Sequence, residues 1–261
     1  MQVKNSYMEA GKILLSVKNL IKTYKMGDME VHALRNVSLD IENGAFTAIM
    51  GPSGSGKSTF MNVIGCLDYS TKGEYKLDGV DVFKLNKDQL AELRNLKIGF
   101  IFQSFNILAR TSAIENVELP MLYNSNVNSK ERRERAMAAL KSVGLAERAD
   151  HMPNQLSGGQ QQRVAIARSL VNNPVVIMAD EPTGNLDTRS SYEIMDIFQQ
   201  LNDKGITIVM VTHETDIAQF AKSNILFRDG QIVSNVAVSD RKLAKNELPK
   251  LPVLDAKDVL T

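Results

Sequence analysis

Residues 45–59 of the chain read Ala-Phe-Thr-Ala-Ile-Met-Gly-Pro-Ser-Gly-Ser-Gly-Lys-Ser-Thr. The apolar residues 45–50 predict a buried strand, and residues 51–59 fit the spacing G-x-x-x-x-G-K-[ST] of a phosphate-binding loop. A helical pattern follows, with apolar side chains at Phe60, Met61, Ile64 and Leu67. A glycine loop between a strand and a helix is the context that this motif requires. The stretch therefore predicts a nucleotide-binding α/β domain.

The residue types of this loop suit a phosphate group. Glycines let backbone N–H groups close around phosphate oxygens, and the start of the next helix adds the positive end of its dipole. Lys57 is expected to neutralise the terminal phosphates, and the hydroxyl of Ser58 is expected to bind Mg²⁺. A Gly/Ser-rich turn without a ligand is the alternative, which the match in residues and context disfavours. The predicted nucleotide-binding residues are Gly51, Pro52, Ser53, Gly54, Ser55, Gly56, Lys57, Ser58 and Thr59.

Three further apolar runs, at residues 98–102, 175–179 and 206–211, have the same continuous character. Such runs are typical of strands that are buried on both faces of a parallel sheet. Polar side chains follow each run, namely Gln103, then Asp180 with Glu181, then Thr212 with His213. Because ligands of open α/β sheets bind at the carboxyl ends of the strands, we expect these endings to converge on one site.

Asp180 and Glu181 come directly after the third run. A carboxylate at the end of a buried strand is costly unless it has a partner, so Asp180 is predicted to hold Mg²⁺ through water. Glu181 is predicted to orient the attacking water or to act as the general base. An Asp-Glu pair alone would be more typical of a solvated turn, but the phosphate loop favours the functional interpretation.

The segments around these runs predict a rim and an inserted helical part. Val37, Leu39 and Ile41 alternate with polar residues, and Asp229-Gly230 is a strong hairpin signal, so antiparallel strands are expected beside the parallel core. Residues 104–170 are predicted to form a helical subdomain within a nucleotide-binding domain over residues 1–238. The polar tail, residues 239–261, is expected to be loosely ordered.

Composition excludes several classes of protein. The 261 residues carry 31 Lys and Arg against 30 Asp and Glu, so no nucleic-acid partner is expected. Cys66 is the single cysteine, which excludes an internal disulfide and favours a reducing compartment. No apolar run approaches the roughly 18 residues of a membrane span. We therefore expect a cytoplasmic chain without direct membrane insertion, whose membrane function would be supplied by another polypeptide.

A second glycine-rich motif carries a resemblance to a known family. Leu156-Ser157-Gly158-Gly159-Gln160 precedes a helical stretch and resembles the signature of ATP-binding-cassette ATPases. A serine and two glycines before a helix can form another anion cradle. An ordinary helix cap is the alternative for these five residues alone. The resemblance covers about residues 13–236 and implies an α/β fold of the P-loop NTPase, RecA-like type, with an antiparallel rim and an inserted helical subdomain.

The resemblance also implies roles for residues outside the two motifs. It implies that Tyr24 stacks on adenine, that Gln103 senses the metal and water, and that His213 contacts the γ-phosphate. Considered singly, Tyr24 and His213 would more often be packing residues at strand ends. The implied catalytic residues are Glu181, His213 and Gln103, and the implied metal residues are Ser58, Gln103 and Asp180.

A homodimer is implied by the same resemblance. ATP with Mg²⁺ would lie between two subunits, one supplying the phosphate loop and the other supplying the signature. The residues implied to act from the second subunit are Ser157, Gly158, Gly159 and Asp187. Gln160, in the same signature, is a further implied nucleotide-binding residue.

Three segments narrow the resemblance, namely Gly65-Cys66-Leu67-Asp68, Phe100-Ile101-Phe102-Gln103 and Asn116-Val117-Glu118-Leu119-Pro120. They look like the ATP-binding subunits of macrolide export and lipoprotein release. This implies an ATPase on the cytoplasmic face of the inner membrane that drives an integral membrane permease in export or extrusion. The alternatives are a cell-division or peptide-resistance ATPase that signals without transport, a soluble cassette ATPase of translation or DNA repair, and a metabolic kinase.

Overall fold

Two β-sheets organise the chain in the computed structural model, which describes residues 11–27, 29–124 and 127–252. The described residues contain the strands β1 (Ile13–Met26), β2 (Met29–Glu42), β3 (Phe46–Met50), β4 (Lys72–Leu77), β5 (Val80–Asp81), β6 (Ile98–Phe102), β7 (Val176–Asp180), β8 (Thr207–Val211), β9 (Ser223–Arg228) and β10 (Gln231–Ala237). They also contain the helices α1 (Lys57–Ile64), α2 (Lys87–Lys97), α3 (Ala113–Glu118), α4 (Ser129–Ser142), α5 (Gly158–Leu170), α6 (Thr188–Asp203), α7 (Thr215–Ala218) and α8 (Ala244–Glu247).

The central sheet has six strands in the order β10-β9-β3-β8-β7-β6. All neighbours from β9 to β6 are parallel, which confirms that the four apolar runs are strands of a parallel core. Ile49 pairs with Val211, Val211 pairs with Asp180, and Asp180 pairs with Phe102. The carboxyl ends of β3, β8, β7 and β6 therefore lie side by side, as the sequence predicts.

Both faces of this sheet are buried, which explains the continuous apolar runs. Val176 and Met178 of β7 pack with α1 and the rim strands, whereas Ile177 and Ala179 pack with α3 to α6. Because successive side chains of a strand point to opposite faces, a strand between two helical layers needs apolar residues at every position. The helices α1 and α5 thus lie on opposite faces of the sheet.

The rim is a four-stranded antiparallel sheet in the order β2-β1-β4-β5. Val37, Leu39 and Ile41 of β2 are buried and alternate with exposed residues, as predicted. The hairpin at Asp229 and Gly230 is also confirmed, because both residues have positive φ and β9 pairs antiparallel with β10.

One strand of the expected rim belongs to the parallel core. Residues 225–227 lie in β9, which pairs parallel with β3, so that Met50 lies opposite Leu226. The hairpin turn sets only the pairing of β9 with β10. The long-range partner of β9 is the free edge of β3, which no local pattern reveals.

The described residues of the segment 104–170 contain three α-helices, α3 to α5, and three short 3-10 helices. Asn128 caps α4 by accepting a hydrogen bond from the backbone N–H of Glu131 at 3.0 Å, and Gly144 follows the helix with a φ of 76°. Apolar residues of α3, α4 and α5 join the core on the side of the sheet away from α1. The signature motif, at the start of α5, is thereby carried by this helical layer.

The polar tail packs more closely than the sequence suggests. Ala244 is fully buried at the start of α8, and its N–H donates to Oε1 of Gln199 on α6 at 2.9 Å. The amide of Gln199 in turn donates to the carbonyl of Lys242 at 2.8 Å. The buried side chain of Gln199 therefore supplies hydrogen-bond partners for two backbone groups of the tail. Composition alone does not show this. Residues 253–261 of the tail lie outside the described residues.

Tyr75 joins the rim to the helix that follows the phosphate loop. Its side chain is fully buried on β4, and its hydroxyl donates to the carbonyl of Ile64, the last residue of α1. Tyr75→Phe removes this donor and leaves a buried carbonyl without its partner. We expect the free energy of unfolding to fall by about 1–3 kcal/mol, measured by urea unfolding.

Tyr123→Phe is the matched control, because this tyrosine is 87% exposed. It should change the free energy of unfolding by less than about 0.5 kcal/mol. Equal stability of the Tyr75→Phe variant and the unaltered chain would contradict the anchoring role of the Tyr75 hydroxyl.

Candidate functional site

Close approach of neighbouring strands fixes the shape of the phosphate loop. Gly51 has a φ of 146°, and a Cβ atom there would lie 2.2 Å from the carbonyl oxygen of Phe227. Gly56 has a φ of 101°, and its Cβ would lie 2.6 Å from the carbonyl oxygen of Ala33. No other residue type fits either position without displacing backbone. The loop is therefore held between β9 and β2 in one conformation.

Several donors point into this loop. Lys57 begins α1 and is only 8% exposed, and its Nζ donates to the carbonyl oxygens of Gly51 and Pro52, both at 2.8 Å. The buried hydroxyl of Ser55 has no hydrogen-bond partner. Gly56 is the N-cap residue of α1 and has no side chain, so no capping side chain accepts from the first N–H groups of this helix. An ammonium group, an unpaired hydroxyl and uncapped N–H groups form a donor set suited to an anion.

Two carboxylates lie at the end of β7, beside this loop. Burial raises the pKa of Asp180, the neighbouring Glu181 raises it further, and Lys57 opposes the rise. Glu181 has a φ of 46°, which is uncommon for a residue other than glycine. Its N–H donates to the carbonyl of Val211 at 2.9 Å. The backbone thus holds Glu181 at the edge where the parallel strands end.

His213 completes this edge. Its Nδ1 lies 3.0 Å from Oε1 of Glu181, and its side chain is 61% exposed. The hydroxyl of Thr183 donates to Glu214 at 2.8 Å and ties the two loops together. A carboxylate that shares a hydrogen bond with an accessible imidazole can orient a water molecule or a phosphate oxygen.

Gln103 lies at the end of β6 and bonds to the loop that follows Glu181. Its Nε2 donates to Oδ1 of Asn185 at 3.3 Å, and Nδ2 of Asn185 donates to the backbone carbonyl of Gln103 at 3.1 Å. A Cβ atom at Gly184 would lie 2.7 Å from Nε2 of Gln103, so a larger residue would displace this amide. The side chain of Gln103 is thus paired with Asn185 in this structure.

The signature motif forms the start of α5. The hydroxyl of Ser157 accepts from the N–H of Gln160 at 3.3 Å, and Oε1 of Gln160 accepts from the N–H of Ser157 at 3.0 Å. This capping box fixes the serine and the following glycines at the helix start. A Cβ atom at Gly158 would lie 3.4 Å from the side chain of Leu186, which places the motif against the loop of residues 184–187.

Asp187 belongs to the same cluster as the signature. It caps α6, where Oδ1 accepts from the N–H of Ser190 at 2.9 Å and Oδ2 accepts from the Ser190 hydroxyl at 2.6 Å. These hydrogen bonds hold the pKa of Asp187 below its usual value. Ser190 also lies against Gly159, 3.0 Å from the position of a Cβ there. Ser157, Gly159 and Gln160 line a cleft of about 300 Å³ that no phosphate-loop residue lines.

Tyr24 lies near the end of β1, close to the start of α1. Its hydroxyl donates to Oδ2 of Asp68 at 2.7 Å. Burial raises the pKa of Tyr24, as does the bond to Asp68, while an interaction with the Thr59 hydroxyl lowers it. The ring is therefore adjacent to the phosphate loop, where a bound nucleotide could reach it.

Sequence reasoning missed several residues that support these groups. Gln162 is fully buried on α5, and its Nε2 donates to the carbonyl of Pro182 at 2.6 Å, which braces the turn after Glu181. A polar residue on the buried side of an amphipathic helix is the signal that could have revealed it. Asp68 and its partner Lys22 carry no such signal, because their contact spans 46 positions of sequence.

A larger cleft lies apart from the phosphate loop. Its volume is about 980 Å³, and it lies between α2, β6 and the 3-10 helix Leu119–Tyr123. Its apolar lining includes Leu67, Leu96, Phe100, Phe102 and Tyr123.

Within the part of the chain that the structure describes, no helix is long and apolar enough to cross a bilayer.

Comparison with known proteins agrees with this geometry. The family model described as ABC transporter matches residues 34–184. The ABC transporter ATP-binding protein YvrO of Bacillus subtilis is 54% identical over 220 residues, which are 84% of this chain and 96% of the relative. The macrolide export ATP-binding/permease protein MacB of Bdellovibrio bacteriovorus is 54% identical over 222 residues, and the match covers 85% of this chain but only 34% of MacB.

A solved structure gives the same result. The ATP-binding cassette MJ0796 of Methanocaldococcus jannaschii, as a dimer in a post-hydrolysis state with ADP and Pi, superposes with a TM-score of 0.79 and is 47% identical. The match covers 86% of this chain and 98% of that one. The fold, the loop geometry and these similarities together show that the chain belongs to the ABC transporter family as an ATP-binding, ATP-hydrolysing subunit.

Proposed function

We propose that two copies of the chain bind ATP between them, and that each pocket takes groups from both copies. The observation that carries the proposal is the placement of the two anion cradles. The helix after the phosphate loop and the helix after the signature pack on opposite faces of the central sheet. Within one copy, the cleft at the signature is lined by no residue of the phosphate loop, so one copy does not close both cradles around the same nucleotide. The dimeric state of the related cassette MJ0796 supports this arrangement.

In this proposal, the two subunits contribute different groups to each pocket. One subunit contributes Tyr24, residues 51–59, Gln103, Asp180, Glu181 and His213. The other subunit contributes Ser157, Gly158, Gly159, Gln160 and Asp187. Charge-assisted hydrogen bonds from both sides hold the γ-phosphate, so the loss of that phosphate on hydrolysis weakens the closed dimer.

The hydrolytic step uses the end of β7. A water oxygen attacks the γ-phosphorus, the bond to the bridging oxygen of ADP breaks, and the water proton passes to the carboxylate of Glu181. His213 is held by Glu181 and donates to a γ-phosphate oxygen. Lys57 exchanges its loop carbonyls for phosphate oxygens and stabilises their charge.

Hard oxygen donors in the pocket fit Mg²⁺. The hydroxyl of Ser58, the carboxylate of Asp180 and the side-chain oxygen of Gln103 would hold it, directly or through water. Mg²⁺ keeps several waters and needs few protein ligands, so a small set of oxygen donors is enough for it. When bound there, the ion would supply positive charge that offsets the charge of the phosphates.

Glu181→Gln tests the hydrolytic role. The variant keeps the shape of the side chain but cannot accept a proton, so we expect ATP hydrolysis to fall by about 10²–10⁴-fold while ATP binding persists. Light scattering after size exclusion should then show an ATP-dependent dimer. Glu74→Gln, at an exposed position of β4, is the control and should behave like the unaltered chain. Normal turnover of Glu181→Gln would contradict the assignment.

Lys57→Ala tests the phosphate loop. Removal of a charged donor to the terminal phosphates should weaken ATP binding about tenfold or more in titration calorimetry. Lys72→Ala removes an exposed lysine from β4 and should leave the affinity for ATP unchanged. Unchanged ATP affinity in Lys57→Ala would refute the placement of this residue.

We propose that the membrane partner is a permease and that it docks in the larger cleft, at the cytoplasmic face of the cell membrane. The name of the relative MacB joins an ATP-binding part to a permease, and this chain matches about a third of it. The cleft combines exposed apolar side chains with Asp88 and Arg94, which suits an amphipathic segment of a partner. A second apolar candidate for docking is the segment of Phe105, Ile107 and Leu108, which follows Gln103. It is less suited, because Ile107 packs against the core.

Charged residues in the cleft test this docking. The double variant Leu96→Asp and Tyr123→Asp should reduce copurification of the permease from solubilised membranes about tenfold or more, with ATP hydrolysis retained. Met137→Asp, on α4 and outside the cleft, is the control. Undiminished copurification of the double variant would show that the permease docks elsewhere.

A further inference from the structure

A polar cluster connects β1 to the loop that follows α1. Oδ1 of Asp68 accepts from Nζ of Lys22 at 2.7 Å, and Oδ2 accepts from the hydroxyl of Tyr24 at 2.7 Å. Nζ of Lys22 also donates to the carbonyl of Tyr69 at 2.6 Å, and Lys22 is only 9% exposed. One carboxylate thus binds both an ammonium group and the tyrosine hydroxyl.

This cluster fixes the ring of Tyr24 in two ways. The bond to Asp68 sets the direction of the hydroxyl, and Nζ of Lys22 lies 4.6 Å from the ring centroid. A cation at that distance over an aromatic face is an attractive contact. Because Lys22 covers one face of the ring, the opposite face is the one on which a planar base can stack.

Asp68 also links the ring to the phosphate loop. The N–H groups of Leu67 and Asp68 both donate to the carbonyl of Asn62 in α1, at 2.8 and 3.1 Å. Asp68 therefore follows α1 without a flexible connection. That helix has eight residues and is about 12 Å long at the rise of an α-helix, and its first turn adjoins the phosphate loop. The ring and the phosphate loop thus belong to one rigid unit.

The charges in the cluster depend on one another. Burial alone would raise the pKa of Asp68, but hydrogen bonds from Lys22, Tyr24 and the N–H of Tyr69 hold it below its usual value. Asp68 is therefore ionised at neutral pH. Removal of either charged partner leaves the other in a poorly solvated position, so the pair acts as a unit.

We propose that Asp68 and Lys22 are positioning residues for the adenine ring of ATP, acting through Tyr24. They set which face of Tyr24 receives the base and hold that face at a fixed distance from the phosphate loop. The inference rests on the proposed function and on the stacking of Tyr24 on adenine that the family resemblance implies. It predicts that the cluster contributes to the recognition of the base and not to the recognition of the triphosphate.

Asp68→Asn and Lys22→Met test this inference by titration calorimetry with ATP and with inorganic tripolyphosphate. The Kd for ATP should rise about five- to tenfold in each variant, and the Kd for tripolyphosphate should stay within about twofold. The kcat at saturating ATP should also stay within about twofold, so that the defect appears in KM. Lys25→Met and Glu30→Gln, in an exposed ion pair on the same hairpin, are the controls and should leave all of these constants unchanged.

Tyr24→Ala separates this inference from the proposed function. If Tyr24→Ala binds ATP as tightly as the unaltered chain, the stacking role of Tyr24 is wrong. If Tyr24→Ala weakens ATP binding but Asp68→Asn and Lys22→Met do not, the stacking role stands and the positioning role is overturned. Equal losses for ATP and tripolyphosphate would show a general structural role and would also overturn it.

If Asp68→Asn does not fold, a variant with a smaller change still tests the hydrogen bond between Tyr24 and Asp68. Tyr24→Phe keeps the ring and removes only its bond to Asp68, so we expect the Kd for ATP to rise about threefold, with tripolyphosphate unaffected. Unchanged ATP affinity in a folded Tyr24→Phe variant would contradict the orienting role of Asp68.

Discussion

The parallel pairing of β3, β8, β7 and β6 is the constraint on which the site depends. This pairing places Ile49, Val211, Asp180 and Phe102 in one row, so the residues that follow these strands emerge at the same edge. The phosphate loop, the two carboxylates, His213 and Gln103 are thereby brought together from distant parts of the chain. Burial of both sheet faces supplies the stabilisation that holds the row in register.

The same burial divides the two anion cradles between the faces of the sheet. The helix α1 packs on the face that the rim covers, and α5 packs on the face that the helical segment covers. Internal contacts prepare each cradle separately. In the phosphate loop, the backbones of β9 and β2 lie so close to Gly51 and Gly56 that no side chain fits there. In the signature, a capping box and the contact with Ser190 fix the start of α5. In the proposed dimer, each half of the pocket would thus be preorganised before the two halves meet, which would lower the cost of ordering on binding.

Local patterns were enough to predict most of the fold. The apolar runs, the phosphate loop and the hairpin at Asp229-Gly230 depend on the chain within a few residues, so the sequence reveals them. The parallel pairing of β9 with β3 and the packing of the tail through Gln199 depend on distant partners. The sequence shows neither, because hydrogen bonds across 43 positions leave no local periodicity.

In the site, too, features that depend on local sequence were predicted, and contacts between distant residues were not. Spacing and strand endings indicated the phosphate loop, the carboxylates, Gln103 and His213. Resemblance to a family indicated Tyr24 and the roles of the signature and of His213. The supporting roles of Lys22, Asp68 and Gln162 were not foreseen. Their side chains bind groups that are adjacent only after folding, and charged or amide residues in a sequence are more often solvated.

The most direct test of the account is the dependence of ATP hydrolysis on protein concentration. A pocket assembled from two copies requires the rate per subunit to rise with concentration and then to level off as the dimer becomes saturated. Steady-state ATPase assays from nanomolar to micromolar protein, with the mass in solution measured in parallel, supply both quantities. A monomer that hydrolyses ATP at the full rate, with no dependence on concentration, would contradict the shared pocket.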